Sequence, residues 1–112
     1  MRWARRAGAW RRSSYNQMWV WDHKKNEDNR RKHKLSFETA TLAFSDPLSQ
    51  TYEDPFETEV RWRTYGMIAG ILVLVVHTEP EGSDEETMRP GRIISARKAT
   101  SAERRAFEEN SL

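Results

Sequence analysis

The chain of 112 residues predicts an α+β fold. An antiparallel sheet of about four to five strands carries two N-terminal helices and one C-terminal helix, in the order β-α-α-β-β-β-β-α. Three observations predict it. Two capped helical segments follow a short apolar strand. Strand-like segments joined by short connections then read as a meander. A capping-box pattern at Thr100 and Glu103 opens a last helix.

Residues 1–16 carry five Arg and no acidic residue. Trp3, Ala7 and Trp10 fall at helical spacing, so a short basic amphipathic helix is one reading. A disordered extension or a misassigned start, with Met18 as the true one, is preferred. The rest, 17–112, is read as one domain, as its length suggests. Gln17–Trp21 is strand one. Asp22 is an N-cap for a helix over His23–His33, which is polar almost all round and so needs tertiary contacts to hold it. Ser36 caps the second helix, where Phe37, Ala40, Thr41 and Phe44 form one stripe. Asp46-Pro47 ends it. Leu48–Glu53 is strand two. Glu59–Met67 is strand three, with Arg61, Arg63 and Tyr65 on one face and Val60, Trp62 and Thr64 on the other. Gly66–Gly70 reads as a turn. Ile71–Glu79 is strand four, apolar on both faces and therefore central. Pro80–Pro90 is an exposed acidic loop, and Arg92–Arg97 is strand five.

Composition excludes several function classes. With no Cys there are no disulfides, thiolate metal sites or Cys nucleophiles, and the expected location is cytoplasmic. The longest apolar run, Gly66–Val76, has 11 residues, short of the roughly 20 a bilayer helix needs, and no secretory signal pattern is present. The three His are scattered without metal-ligand spacing, so no metal or other cofactor is expected. Charge is uneven. Residues 1–34 hold 11 Lys/Arg against 3 Asp/Glu, residues 35–88 hold 2 against 11, and residues 89–112 hold 6 against 3. Such a chain can bind a polyanion on one face, although a self-neutralising surface is the plainer reading.

Six blocks, in order, resemble the BrnT toxins of bacterial type II toxin–antitoxin systems. They are WVWDHKKNEDNRRKHKLSF (Trp19–Phe37), DPLSQTYEDP (Asp46–Pro55), the RW…YG segment (Arg61–Gly66), LVVHTE (Leu74–Glu79), RIISARKAT (Arg92–Thr100) and the closing Glu103-Arg104. The resemblance implies a RelE-like fold and a metal-independent ribonuclease that cleaves RNA and inhibits translation. It also implies a BrnA-like antitoxin that links the toxin to DNA only indirectly, in a hetero-tetramer away from membranes. The sequence departs from the family pattern at Lys34, where Gly is usual, and in the acidic insert 81–86.

Metal-free RNA cleavage needs a base, an acid and cations for the phosphorane. His33 and His77 are the acid–base candidates, because histidine is the residue type whose ordinary proton exchange falls near neutral pH. His33 ends a basic helix beside Lys32, and its plainer role is to meet free helix carbonyls. His77 shares a strand face with Ile71, Val73 and Val75, where a core-edge role is the plainer one. Glu53 is an alternative base. Arg61 and Arg63 read as a phosphate clamp, or as partners of Glu53 or Glu59. Arg92 and Arg97 lie five residues apart, so alternation sends them to opposite faces unless a bulge intervenes. Arg97, in the SAR segment beside Lys98, is preferred. The catalytic candidates are thus Lys32, His33, Glu53, Arg61, Arg63, His77 and Arg97. The RNA-binding candidates are Arg31, Tyr65, Arg92 and Lys98. A non-catalytic module that holds an antitoxin or nucleic acid is the alternative function.

Overall fold

The apolar segment expected to be central lies in the middle of a five-stranded sheet. In a computed structural model, which describes residues 18–55, 58–84 and 86–112, the strands are β1 (Trp19–Val20), β2 (Gln50–Asp54), β3 (Arg61–Ile68), β4 (Ile71–His77) and β5 (Gly91–Lys98). Their order is β1-β5-β4-β3-β2. The readings made for residues 1–16 lie outside the described residues. Strands β2 to β5 form the expected antiparallel meander. The sheet as a whole is mixed, because β1 pairs parallel to β5. Short connections predict antiparallel neighbours, but β1 reaches its neighbour across the rest of the fold, so that rule does not bind it.

The β3–β4 turn is tighter than Gly66–Gly70. Only Ala69 and Gly70 form it, with φ of 49° and 83°, the two positive values that a two-residue hairpin matched to strand twist requires. Gly66 sits inside β3 for another reason. A Cβ there would lie 2.2 Å from the Ala43 carbonyl oxygen, so the bare backbone lets the segment after the second helix press onto the sheet.

Helix α1 (His23–His33) starts where Asp22 accepts from the Lys24 and Lys25 amides, and ends at Lys34 with φ 59°. Its buried residues are Asn26 and Asn29. The Asn29 amide donates to the Ala96 carbonyl at 2.7 Å and accepts from the Ala96 N–H at 3.2 Å, as a neighbouring strand would. Asn26 accepts from the Phe37 N–H at 2.8 Å and donates to Glu38 at 2.9 Å. That bond, ahead of the backbone contacts, holds the Glu38 carboxyl below its usual range. Helix α2 (Phe37–Ala40), capped by Ser36, tightens into a 3-10 segment over Thr41–Ser45. Helix α3 (Ser101–Glu108) opens with the expected Thr100–Glu103 capping box.

One sheet face packs Val73, Val75, Ile93 and Ala96 against Trp19, Phe37, Ala40 and Ala43. On the other, Tyr65, Leu72 and Leu74 meet Phe107 of α3. His77 belongs to the first face and is 1% exposed. Trp19 and Phe44 stack at 4.2 Å, and the imidazole meets both edge-on. The Thr78 carbonyl, 2.8 Å from Nδ1, can only accept. Nδ1 therefore carries the proton, and Nε2 accepts from the Thr64 hydroxyl at 2.7 Å. Thr64 in turn meets the Thr51 hydroxyl at 2.8 Å. Burial pushes the His77 pKa from 6.5 to about 4.

Three outcomes follow from this packing. Gly66→Ala loses about 1–3 kcal/mol in denaturant unfolding, the usual range for overpacking. Lys34→Gly gains about 0.5–1 kcal/mol, because relief of the left-handed conformation outweighs the entropy of a free glycine. For His77, the folded pKa lies below the unfolded one. Its contribution is complete above pH 6.5 and is lost as pH falls toward about 4. The total is on the order of 3 kcal/mol at about 1.4 per pH unit. Unfolding midpoints measured across that window show the slope, and His77→Gln flattens it.

Candidate functional site

Strand alternation places Arg61 and Arg63 on the face opposite His77. In register, Asp54 stands across from Arg61, Tyr52 and Val76 across from Arg63, and Leu74 across from Arg97. Arg97 therefore shares the face of the two β3 arginines. Arg92 joins them because β5 contains a bulge. His77 pairs with Ile93 and Val76 with Ser95, so Ile94 has no partner. The extra residue restores Arg92 to the side of Arg97, and the expectation of opposite faces gives way to the exception it allowed.

Each arginine faces a carboxylate. Glu59 accepts from Arg61 Nε at 3.1 Å and from Arg92 Nη2 at 2.6 Å. The Arg61 bond, then those to Arg92, holds the Glu59 carboxyl below its usual range. Arg63 Nε stands 3.5 Å from Asp54 Oδ1, and that buried nitrogen has no hydrogen-bond partner among the described residues. Arg97 forms a two-pronged pair with Glu103 at 2.9 and 3.0 Å. Glu103 also accepts from the Thr100 N–H and the Tyr65 hydroxyl. Its carboxyl is held at about 2, chiefly by Arg97. The same bond raises the Arg97 pKa. The Tyr65 hydroxyl is pushed up by burial first, then by Glu103.

The remaining candidates lie elsewhere. Tyr65 is on the arginine face but only 3% exposed, beneath α3 and edge-on to Tyr52. It has no ring face free for a base and packs as core. His77 is enclosed on the opposite face. Glu53 stands across from Trp62 and so points to that opposite side. Lys98, across from Val73, does the same. Arg31, Lys32 and His33 form the last turn of α1, beside the outer edge of β5, and Arg31 pairs with Asp28. The structure thus gathers Arg61, Arg63, Arg92 and Arg97 on one face, with His77 and Glu53 on the other and Lys32 and His33 on α1. Asp54 and Glu103 are the partners that sequence reasoning missed. Arg63's partner depends on hairpin register, and the sequence pattern around Glu103 signals only a helix cap.

Chemically, this face offers guanidinium groups that match a phosphodiester in shape and charge. Glu59 Oε1, shared by Arg61 and Arg92, marks where an anionic oxygen is held between two strands. Among the described residues, no group of three His, Cys, Asp or Glu side chains is placed to hold a metal ion. Among the same residues, no helix is long and apolar enough to cross a membrane.

Comparison with known families matches residues 21–103 to the model described as "Ribonuclease toxin, BrnT, of type II toxin-antitoxin system". A search of curated proteins gives no match. The matched span begins just after β1 and ends in the first turn of α3, and it includes all four arginines of the shared face. The chain belongs to the BrnT family of ribonuclease toxins of type II toxin–antitoxin systems.

Proposed function

We propose that this toxin is a metal-independent endoribonuclease that binds the scissile phosphate on the face of Arg61, Arg63, Arg92 and Arg97 and stops translation by cutting RNA in the cytoplasm. The observation that carries this reading is the convergence of four guanidinium groups, drawn from β3 and β5, on one sheet face. A phosphate oxygen entering between Arg61 and Arg92 takes the position of Glu59 Oε1. The displaced carboxylate, ionised at neutral pH, then lies next to the bound phosphate. There it can accept the 2′-hydroxyl proton as the 2′-oxygen bonds to phosphorus and the P–O5′ bond breaks, leaving a 2′,3′-cyclic phosphate; water protonates the departing 5′-oxygen, and the arginines stabilise the charge that builds on phosphorus.

The antitoxin of this reading is BrnA-like and covers the arginine face with an acidic or apolar segment, in an assembly of toxin and antitoxin pairs. DNA is reached only through that partner.

A non-catalytic module that binds its antitoxin or nucleic acid is the second reading. One observation favours it: His77 and Glu53 lie on the face opposite the arginines.

Incubation of the purified toxin with RNA, free and ribosome-bound, decides between the two. The first reading expects cleavage that persists in EDTA and falls by about 10²-fold or more in Arg61→Ala/Arg92→Ala, as loss of transition-state donors does elsewhere. Antitoxin binding with intact RNA in every condition selects the second.

A further inference from the structure

Helix α1 carries Lys24, Lys25, Arg30, Arg31 and Lys32 within one polar sequence. Its two acidic residues do not neutralise them evenly. Asp28 pairs with Lys24 and Arg31, and Glu27 pairs with Arg30. Lys25 and Lys32 are exposed and have no ion pair among the described residues. They are seven residues apart, so they lie on one stripe, about 10.5 Å apart along the axis.

The buried asparagines show where that stripe points. Asn26 bonds to the start of α2, on the helix-covered side of the sheet. Asn29 bonds to the edge of β5. At about 100° per residue, Asn29 stands about 60° around the helix from Asn26, and Lys25 and Lys32 stand about 100–120° around in the same sense. Passing from α2 to the β5 edge and onward leads to the opposite side of the sheet. That is the side of Arg97, the residue next to Ala96.

From this placement we infer that Lys25 and Lys32 form a second phosphate subsite. It carries the backbone of a single RNA strand off the arginine face, past Arg97 and along the flank of α1. The inference rests on the ribonuclease reading and adds to it the path of the substrate. It also gives the uneven ion pairing a consequence: cations on the far side of α1 are quenched, and those beside the site are left to meet phosphates.

The test is binding of the full-length toxin to a short single-stranded 2′-O-methyl RNA, which cannot be cut, over a range of salt concentrations. Lys25→Ala/Lys32→Ala changes only exposed residues, and its melting temperature should match that of the wild type. Its affinity should be lower, and its slope of log affinity against log salt shallower by about 1.4, at roughly 0.7 per phosphate contact. Lys24→Ala/Arg30→Ala removes the same charge from the other side of the helix and should keep the wild-type slope. An unaltered slope in the first variant, or an equal change in the second, overturns the subsite while leaving the arginine face standing. A wild-type toxin that does not bind the RNA overturns the ribonuclease reading and the subsite together.

Discussion

The side-chain amide of Asn29 does for this fold what an additional strand would do. It satisfies both backbone groups of Ala96 and also donates to the Leu35 carbonyl. Helix α1 has no apolar stripe to dock with, so its hold on the sheet is polar and directional. Such bonds contribute only about 1 kcal/mol each in net terms, yet leaving a buried donor or acceptor unmade costs about 1–3 kcal/mol. The asymmetry makes Asn29 a determinant of geometry more than of stability. It closes the edge of β5 that the two-residue β1 leaves open, fixes the rotation of α1, and with Asn26 delivers Phe37 into the core.

The bulge at Ile94 is the second constraint, and it acts on charge. A regular β5 would turn Arg92 inward, to the side of Ala96 and the aromatic box of Trp19, Phe44 and His77, and leave an ion to be buried there while Ile93 faced outward. With one extra residue, Ile93 packs inward and Arg92 reaches Glu59 on the outside. Core packing and site assembly are thus served by the same irregularity. The bulge sits at the end of β4 where His77 closes the Trp19–Phe44 pair, so the aromatic box and the arginine face are built back to back.

Local signals in the sequence were strong enough to place most elements. Asp22, Ser36 and Thr100 cap helices through contacts within three residues, and the apolar content of β4 announces a central strand. Alternation alone put Arg61 and Arg63 together. What could not be read depends on register or on contacts distant in the chain. Whether Arg63 meets Glu53 or Asp54 turns on a one-residue difference that reverses the face. The bulge has no mark of its own in RIISAR, and the parallel pairing of β1 joins residues at opposite ends of the domain. Tyr65 and Gly66 look like a functional aromatic and a turn glycine. They are a core residue and a close-contact glycine because of what α3 and Ala43 bring to them.

The pairing of every arginine on the shared face with a carboxylate does not argue against phosphate binding there. Four unpaired guanidinium groups on β3 and β5, with only β4 between them, would repel one another in the free protein. Glu59, Asp54 and Glu103 hold them in place at little net gain, since solvent screens such partly exposed pairs. A phosphate that enters exchanges one anion for another, and the cost of displacing so weak a pair is small. The exception is Arg97, whose two-pronged bond to Glu103 also secures the start of α3 and the Tyr65 hydroxyl. Displacing Glu103 would loosen a helix, whereas displacing Glu59 loosens only a side chain. The site therefore has a soft end at Arg61 and Arg92, where an incoming phosphate can exchange, and a rigid end at Arg97, where the guanidinium adds positive potential without leaving its partner.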